Sequence, residues 1–322
     1  MRVLIVAALD TSALCRLPRL FHDAGYEVYL MGPPGLTAMR SRFIDLRISS
    51  TTIGGKADLI VAADEFTARG ITKPAVQFVL DALEAGIRLP ACEICDSPEA
   101  ALDAARVMGF PVFVKPGGYA ASAKEVSALN LRPPLVVMRH PGERGSIAIL
   151  YNKGVARCWF AYLDRGATIE IFRHDDLAGI VARTGKLVAF TGLCSIKFSF
   201  DRERDEVLLT AFNPWPDRCC HLGRVAGVDF AAALRSWNSS FTEAQTPIGP
   251  VGQTIALFPE ALRDPRHSAA CLKDAPWTDP RLLVAELLHH RRLSASSSSS
   301  VRGQSDPSNR DNPRSASTFP PV

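Results

Sequence analysis

The chain has 322 residues, of which 47% are apolar and 22% charged, the composition of a soluble globular protein with room for two or three domains. The formal net charge is +4, but five Arg against two Asp from residue 291 onward supply +3 of it, so residues 1–290 are close to neutral. That excludes a basic nucleic-acid-binding body, and no run reaches the roughly 18 apolar residues of a membrane span.

Val3 to Ala8 is a continuous apolar run, as in a parallel strand buried on both faces. Asp10 cuts the run and Leu14 sits where a cleavable leader needs a small residue, so it reads as a first strand rather than a signal peptide. Thr11 or Ser12 is placed to cap a helix running to about Ala24, with Leu14, Leu17, Leu20 and Phe21 on one face. Gly25 ends it, Glu27 to Met31 reads as a second strand, and Leu59 to Ala62 as another. This is a Rossmann-like βαβ start. The loop after the first strand reads Ala-Leu-Asp-Thr-Ser and lacks G-x-G-x-x-G, which argues against a dinucleotide there.

Helical spacing follows from Lys73 to Ala85, and Ser97-Pro98-Glu99 starts a helix that runs to Met108. The eight cysteines include one C-x-x-C, Cys92 and Cys95, with no second such pair, and Cys219-Cys220-His221 is not a ligand spacing. They read as unpaired thiols of a reducing, cytoplasmic compartment.

Phe110 to Val114 is an apolar strand that ends on Lys115, directly before Pro116-Gly117-Gly118. A lysine closing such a strand is costly to bury unless an anion waits there, and side-chain-poor backbone beyond it suits a phosphate chain. Strands follow at Pro134–Met138, Gly145–Tyr151, Val155–Tyr162, Ile196–Phe200 and Val207–Phe212. Asn152-Lys153-Gly154 makes a hairpin turn. Helices are expected from Asp175 to Val188 and from Asp229 toward Trp237. On the Ile196–Phe200 strand, Ser195, Lys197 and Ser199 share a polar face, and Ile196, Phe198 and Phe200 an apolar one.

The order Gly86-Ile87-Arg88-Leu89-Pro90, Ser97-Pro98-Glu99, Gly109 to Pro116, and then Asn213-Pro214-Trp215-Pro216, 98 residues after Lys115, resembles the ATP-grasp family. The resemblance is to the carbamoyl-phosphate-synthetase and biotin-carboxylase type and covers residues 1–290, with Asp274 to Pro280 similar to a tail element of a bacterial branch. It implies an α/β fold in consecutive pieces. These are a Rossmann-like pre-ATP-grasp domain over 1–70, a first ATP-grasp lobe over 71–135, a second over 136–240, and an extension over 241–293. The Ser-rich residues 294–322 are expected to be a disordered tail.

The implied activity is an ATP-dependent ligase that joins an acyl phosphate to an amine. A non-catalytic nucleotide-binding pseudoenzyme with a regulatory or scaffold role is the alternative, and a fold that no longer binds nucleotide is a third reading. By the same resemblance Lys73 and Lys115, 42 residues apart, flank the nucleotide. Gly117, Gly118 and Ser122 belong to a loop to Lys124 that covers its phosphates. Met138 takes the place of an acidic residue at the adenine–ribose region, and the next such acid falls near Arg144. The two magnesium carboxylates map to Lys197 and Ala211, leaving Asn213 as the family-like metal ligand, and Trp215 replaces an arginine. Magnesium is therefore in doubt, and the Lys197 ammonium is expected where a cation would sit. The expected ligands are ATP and a small-molecule substrate, with neither nucleic acid nor membrane as partner, and a homodimer is compatible.

Overall fold

A computed structural model describes residues 1–49, 57–71, 73–140, 142–236 and 251–302, with side chains described to residue 292. The first piece is a four-stranded parallel sheet of β1 (Arg2–Val6), β2 (Glu27–Met31), β3 (Leu46–Ile48) and β4 (Leu59–Ala62), in the order β3-β2-β1-β4. Helix α1 (Ser12–Asp23) starts where Thr11 Oγ1 accepts the N–H of Leu14, the cap its sequence requires. Val3, Ile5, Leu14, Leu17, Phe21 and Leu30 are buried on the faces expected of them.

Helix α2 (Ala75–Glu84) leads to the first lobe. That lobe is an antiparallel sheet of β5 (Cys92–Cys95), β6 (Val112–Lys115), β7 (Gly118–Ala120) and β8 (Leu135–Arg139), backed by α3 (Pro98–Met108) and α4 (Ala123–Ala128). Strand β8 pairs with both β5 and β6, so the boundary expected between residues 135 and 136 cuts a strand that belongs to this lobe. The C-x-x-C is β5, and its odd spacing sends the two thiols to opposite faces. Cys95 packs in the cluster of α3, and Cys92 against Val136 and Met138.

The second lobe is a six-stranded antiparallel sheet in the order β13-β12-β9-β10-β11-β14. Its strands are β9 (Glu143–Asn152), β10 (Val155–Asp164), β11 (Thr168–Phe172), β12 (Gly192–Asp201), β13 (Glu206–Asn213) and β14 (Thr254–Ala256). Lys153 and Gly154 at φ +49° and +76° make the two-residue hairpin turn between β9 and β10. Helix α5 (Asp176–Val188) covers one face, packing Leu177, Ile180 and Val181 on Ile147, Tyr151 and Ile196. The other face shares a core with the first domain, where Ala148, Phe160 and Tyr162 meet Val3, Leu30 and Phe230 of α6 (Phe230–Arg235). Strand β14 comes from the expected extension and completes this sheet.

Helix α2 wedges between the lobes, with Phe78 and Ala82 in the second-lobe cluster and Val79 against Val136 and Met138. After α7 (Ser268–Cys271), helix α8 runs from Pro280 to Arg302 and returns to the first domain, where Glu286 pairs with Arg16 at 3.1 Å. The segment expected to be disordered from 294 is thus helical through Arg302. Serine is a middling helix former, and the preceding Leu/Ala-rich turns extend into it. The rest of that segment, and Trp237 beyond α6, lie outside the described residues. Among the described residues no helix is long and apolar enough to cross a membrane.

Candidate nucleotide and substrate site

Alternation along β6 buries Val112 and Val114 and sends Lys115 toward the second lobe. There its Nζ donates to the carbonyl oxygen of Thr210 on β13. Burial pushes the ammonium down to about 8, with Cys92 opposing slightly. Among the described residues no carboxylate pairs with it, so the charge is held between two lobes by a neutral dipole alone.

The loop beyond it folds back as a hairpin. Gly118 enters β7, where Val114 pairs with Gly118 and Val112 with Ala120, leaving Gly117 at a tight turn. Ser122 caps α4 by accepting the N–H of Glu125 at 3.3 Å, while Glu125 reaches back to the N–H of Ala121 at 2.8 Å. The Ser-x-x-Glu pair resembles a capping box with the Glu reaching one residue before the cap, and alanines in place of further glycines favour regular structure. Lys73 pairs instead with Asp81 of α2 at 2.6 Å, on an exposed surface where Gln77 holds the same carboxylate. Met138 is fully buried against Val79 and Val136, so its side chain presents no face to an adenine ring in this conformation. Arg144 lies over the Tyr119 ring at 5.6 Å. His140, missed in the sequence, joins the lobes through a 2.9 Å hydrogen bond between Nδ1 and Ser199 Oγ.

Strands β12 and β13 place Lys197 opposite Ala211 and Ser195 opposite Asn213. Lys115 and Lys197, far apart in sequence, thus approach consecutive residues of β13. Asn213 Nδ2 donates to Ser195 Oγ at 3.4 Å. The Lys197 ammonium has polar partners of its own. It donates to Ser146 Oγ at 2.9 Å and sits 3.0 Å from Asp217 Oδ2. Asp217 is the site residue the sequence did not single out. Its side chain is fully buried while that of Lys197 is 40% exposed. Burial alone would raise the carboxyl. Lys197, Ser146 Oγ–H, Tyr162 O–H and the N–H of Cys219 together overcome this and hold it at about 2. Asp217 faces inward, and the ammonium it anchors faces solvent.

That ammonium lines a cavity of about 280 Å³. Leu9 and Thr11 to Ala13, where β1 leads into α1, form one wall with Ala63, Asp64 and Glu65 after β4; Ser195, Lys197 and Trp215 to Arg218 form the other. In the order β3-β2-β1-β4, the chain leaves β1 toward β2 on one side while β4 lies on the other, so this is the topological switch point of a parallel sheet. Asp64 builds the wall by accepting the N–H groups of Ala8, Leu9 and Thr67, which hold its carboxyl below the usual range against burial. Arg218 is tied to Asp164 at 2.9 Å. Among the described residues no group of three or more His, Cys, Asp or Glu is arranged to hold a metal ion.

Neither a protein-family model nor a curated protein sequence matches the chain. Solved structures do. N5-carboxyaminoimidazole synthetase from Staphylococcus aureus is similar with a TM-score of 0.58 at 12% identity, over 76% of this chain and 78% of that one. The biotin carboxylase domain of Hydrogenobacter thermophilus 2-oxoglutarate carboxylase, a structure with MgADP and bicarbonate, scores 0.55 at 12% identity, over 78% and 72%. L-amino acid ligase from Bacillus licheniformis scores 0.51 at 11%, over 73% of each. These are ATP-grasp proteins, and the chain has the ATP-grasp fold.

Proposed function

We propose that the chain is a cytoplasmic, nucleotide-binding ATP-grasp protein of the carboxylate–amine ligase type, with ATP phosphates at Lys115 and the acceptor in the cavity beside Lys197. The observation that carries this reading is Lys115, an ammonium sunk between the lobes with only a carbonyl for company. A phosphate oxygen there would replace a neutral contact with a charge-assisted one. In such a ligase the γ-phosphoryl group passes to a carboxylate, and an amine then displaces phosphate from the acyl phosphate. Lys115 and Lys197 would neutralise charge that develops on the transferring group.

At the place where the resemblance puts magnesium, the side chains are an ammonium, a methyl group and one amide: Lys197, Ala211 and Asn213. That set does not fit a hard divalent cation, and no step is derived through one. The same observation favours the second reading, a nucleotide-binding protein that does not turn over. Calorimetry of ATP binding, with and without magnesium, tests the proposal. Wild type is expected to bind in EDTA and Lys115→Ala to bind at least tenfold more weakly; equal affinity of the two proteins refutes the assignment. ADP release in the presence of acceptor then separates ligase from pseudoenzyme.

A further inference from the structure

The cavity between the first domain and β12–β13 has a carboxylate on one wall and an ammonium on the other. Glu65 is exposed after β4 and has no hydrogen-bond or ion-pair partner among the described residues. Across from it, the Lys197 ammonium is 40% exposed, with two of its three N–H donors committed to Ser146 and Asp217. Asp217 itself is sealed behind the ammonium and Asp64 is saturated by backbone N–H groups, so neither competes for a ligand. The start of the twelve-residue α1 adds N–H groups of Ser12 and Ala13 that no intrahelical carbonyl satisfies. Leu9, Trp215 and Pro216 supply apolar lining.

We propose that this cavity binds a zwitterionic α-amino acid, its carboxylate on Lys197 and the start of α1, its ammonium on Glu65 and its side chain against Leu9 and Trp215. The proposal rests on the reading of this cavity as the acceptor site and names the class of acceptor. A volume of about 280 Å³ suits a ligand of that size and not a macromolecular segment. Lys197, which stands where the resemblance expects a carboxylate, is what makes the second-lobe wall able to receive an anion.

The test uses the full chain without nucleotide. The standard L-amino acids are screened by thermal shift, and the best binder is compared by calorimetry with its des-amino acid and its decarboxylated amine. The intact zwitterion is expected to bind at least tenfold more tightly than either analogue. Glu65→Gln should weaken the zwitterion and the amine by about tenfold and leave the des-amino acid unchanged. Lys197→Met with Asp217→Asn, which keeps the buried pair neutral, should weaken the zwitterion and the des-amino acid and leave the amine unchanged. Binding of one analogue as tight as the zwitterion, variants that weaken all three probes alike, or no binder in the screen overturns the proposal. Because nucleotide is absent, a failure here leaves the Lys115 result standing, and a failure at Lys115 leaves this one standing.

Discussion

Removing the cation from the Lys197–Asp217 pair is the sharpest perturbation the structure offers. Asp217 is fully buried and is held at about 2 against an ordinary value of 3.8. At 1.36 kcal/mol per unit, its ionised form contributes about 2 kcal/mol to stability. For a depressed carboxyl that contribution is complete above pH 3.8 and is lost as pH falls toward 2. Lys197→Met deletes the largest stabilising partner and leaves burial to dominate, so the carboxyl should rise above its ordinary value. Breaking a buried pair costs about 3–5 kcal/mol. The exposed lysine head lets water compensate in part, so about 2–3 kcal/mol is expected. The sign of the pH dependence then reverses. With a raised carboxyl the folded state holds its proton more tightly than the unfolded one, so the variant should lose stability as pH rises from 5 to 7. Asp217→Asn should cost less, because an amide oxygen in place of Oδ1 still accepts from Tyr162 and the N–H of Cys219, while its NH2 group can donate to Ser146 Oγ. The double variant should fall short of the sum by about 1–3 kcal/mol. Urea unfolding at pH 5 and pH 7 reads all three. A Lys197→Met midpoint that moves no more than that of an exposed lysine variant, with no pH dependence, would refute the reasoning.

Lys115 predicts the pH dependence of nucleotide binding. Its ammonium is charged below about pH 8 and is lost above it. ATP affinity should therefore fall as pH rises from 8 to 9.5, and binding near pH 8.5 should take up a proton, seen as a dependence of calorimetric heat on buffer; a flat profile means that the ammonium does not meet the phosphates. Gly185 predicts a steric effect. A Cβ there would strike the carbonyl oxygen of Gly154 and lie 2.7 Å from the Tyr151 ring, both parts of the packed face between α5 and the β9–β10 hairpin. Gly185→Ala should lower stability by about 2–3 kcal/mol in urea unfolding with an unchanged slope, and a change below 0.5 kcal/mol would show that α5 can shift freely.

The sequence by itself determined the local elements whose signals are contained within a few residues. Ser97 and Pro98 set the start of α3, and the helix runs from Pro98 to Met108 as the spacing requires. Glu27–Met31 and Leu59–Ala62 are strands with those bounds, because continuous apolar runs between turn residues leave little else. The polar and apolar faces of β12 follow from alternation alone, as does Lys115 at the end of β6. Strands β3, β5, β7 and β14 carry no such signal. Each is only three or four residues long, and all four are sheet edges, held by a neighbour rather than by their own pattern. Only the tertiary structure assigned β8 to the first lobe, turned the glycine loop into a hairpin with a capped helix, and drew Lys73 onto Asp81. Asp217 was equally illegible, since after Pro216 it reads as a loop residue. Its meaning comes from Ser146, Tyr162 and Lys197, which lie 71, 55 and 20 residues away and meet it only when β9, β10 and β12 pair. Hydrogen bonding in a buried site depends on which side chains share a volume, and one-dimensional spacing does not encode that when the partners sit on different strands of a sheet.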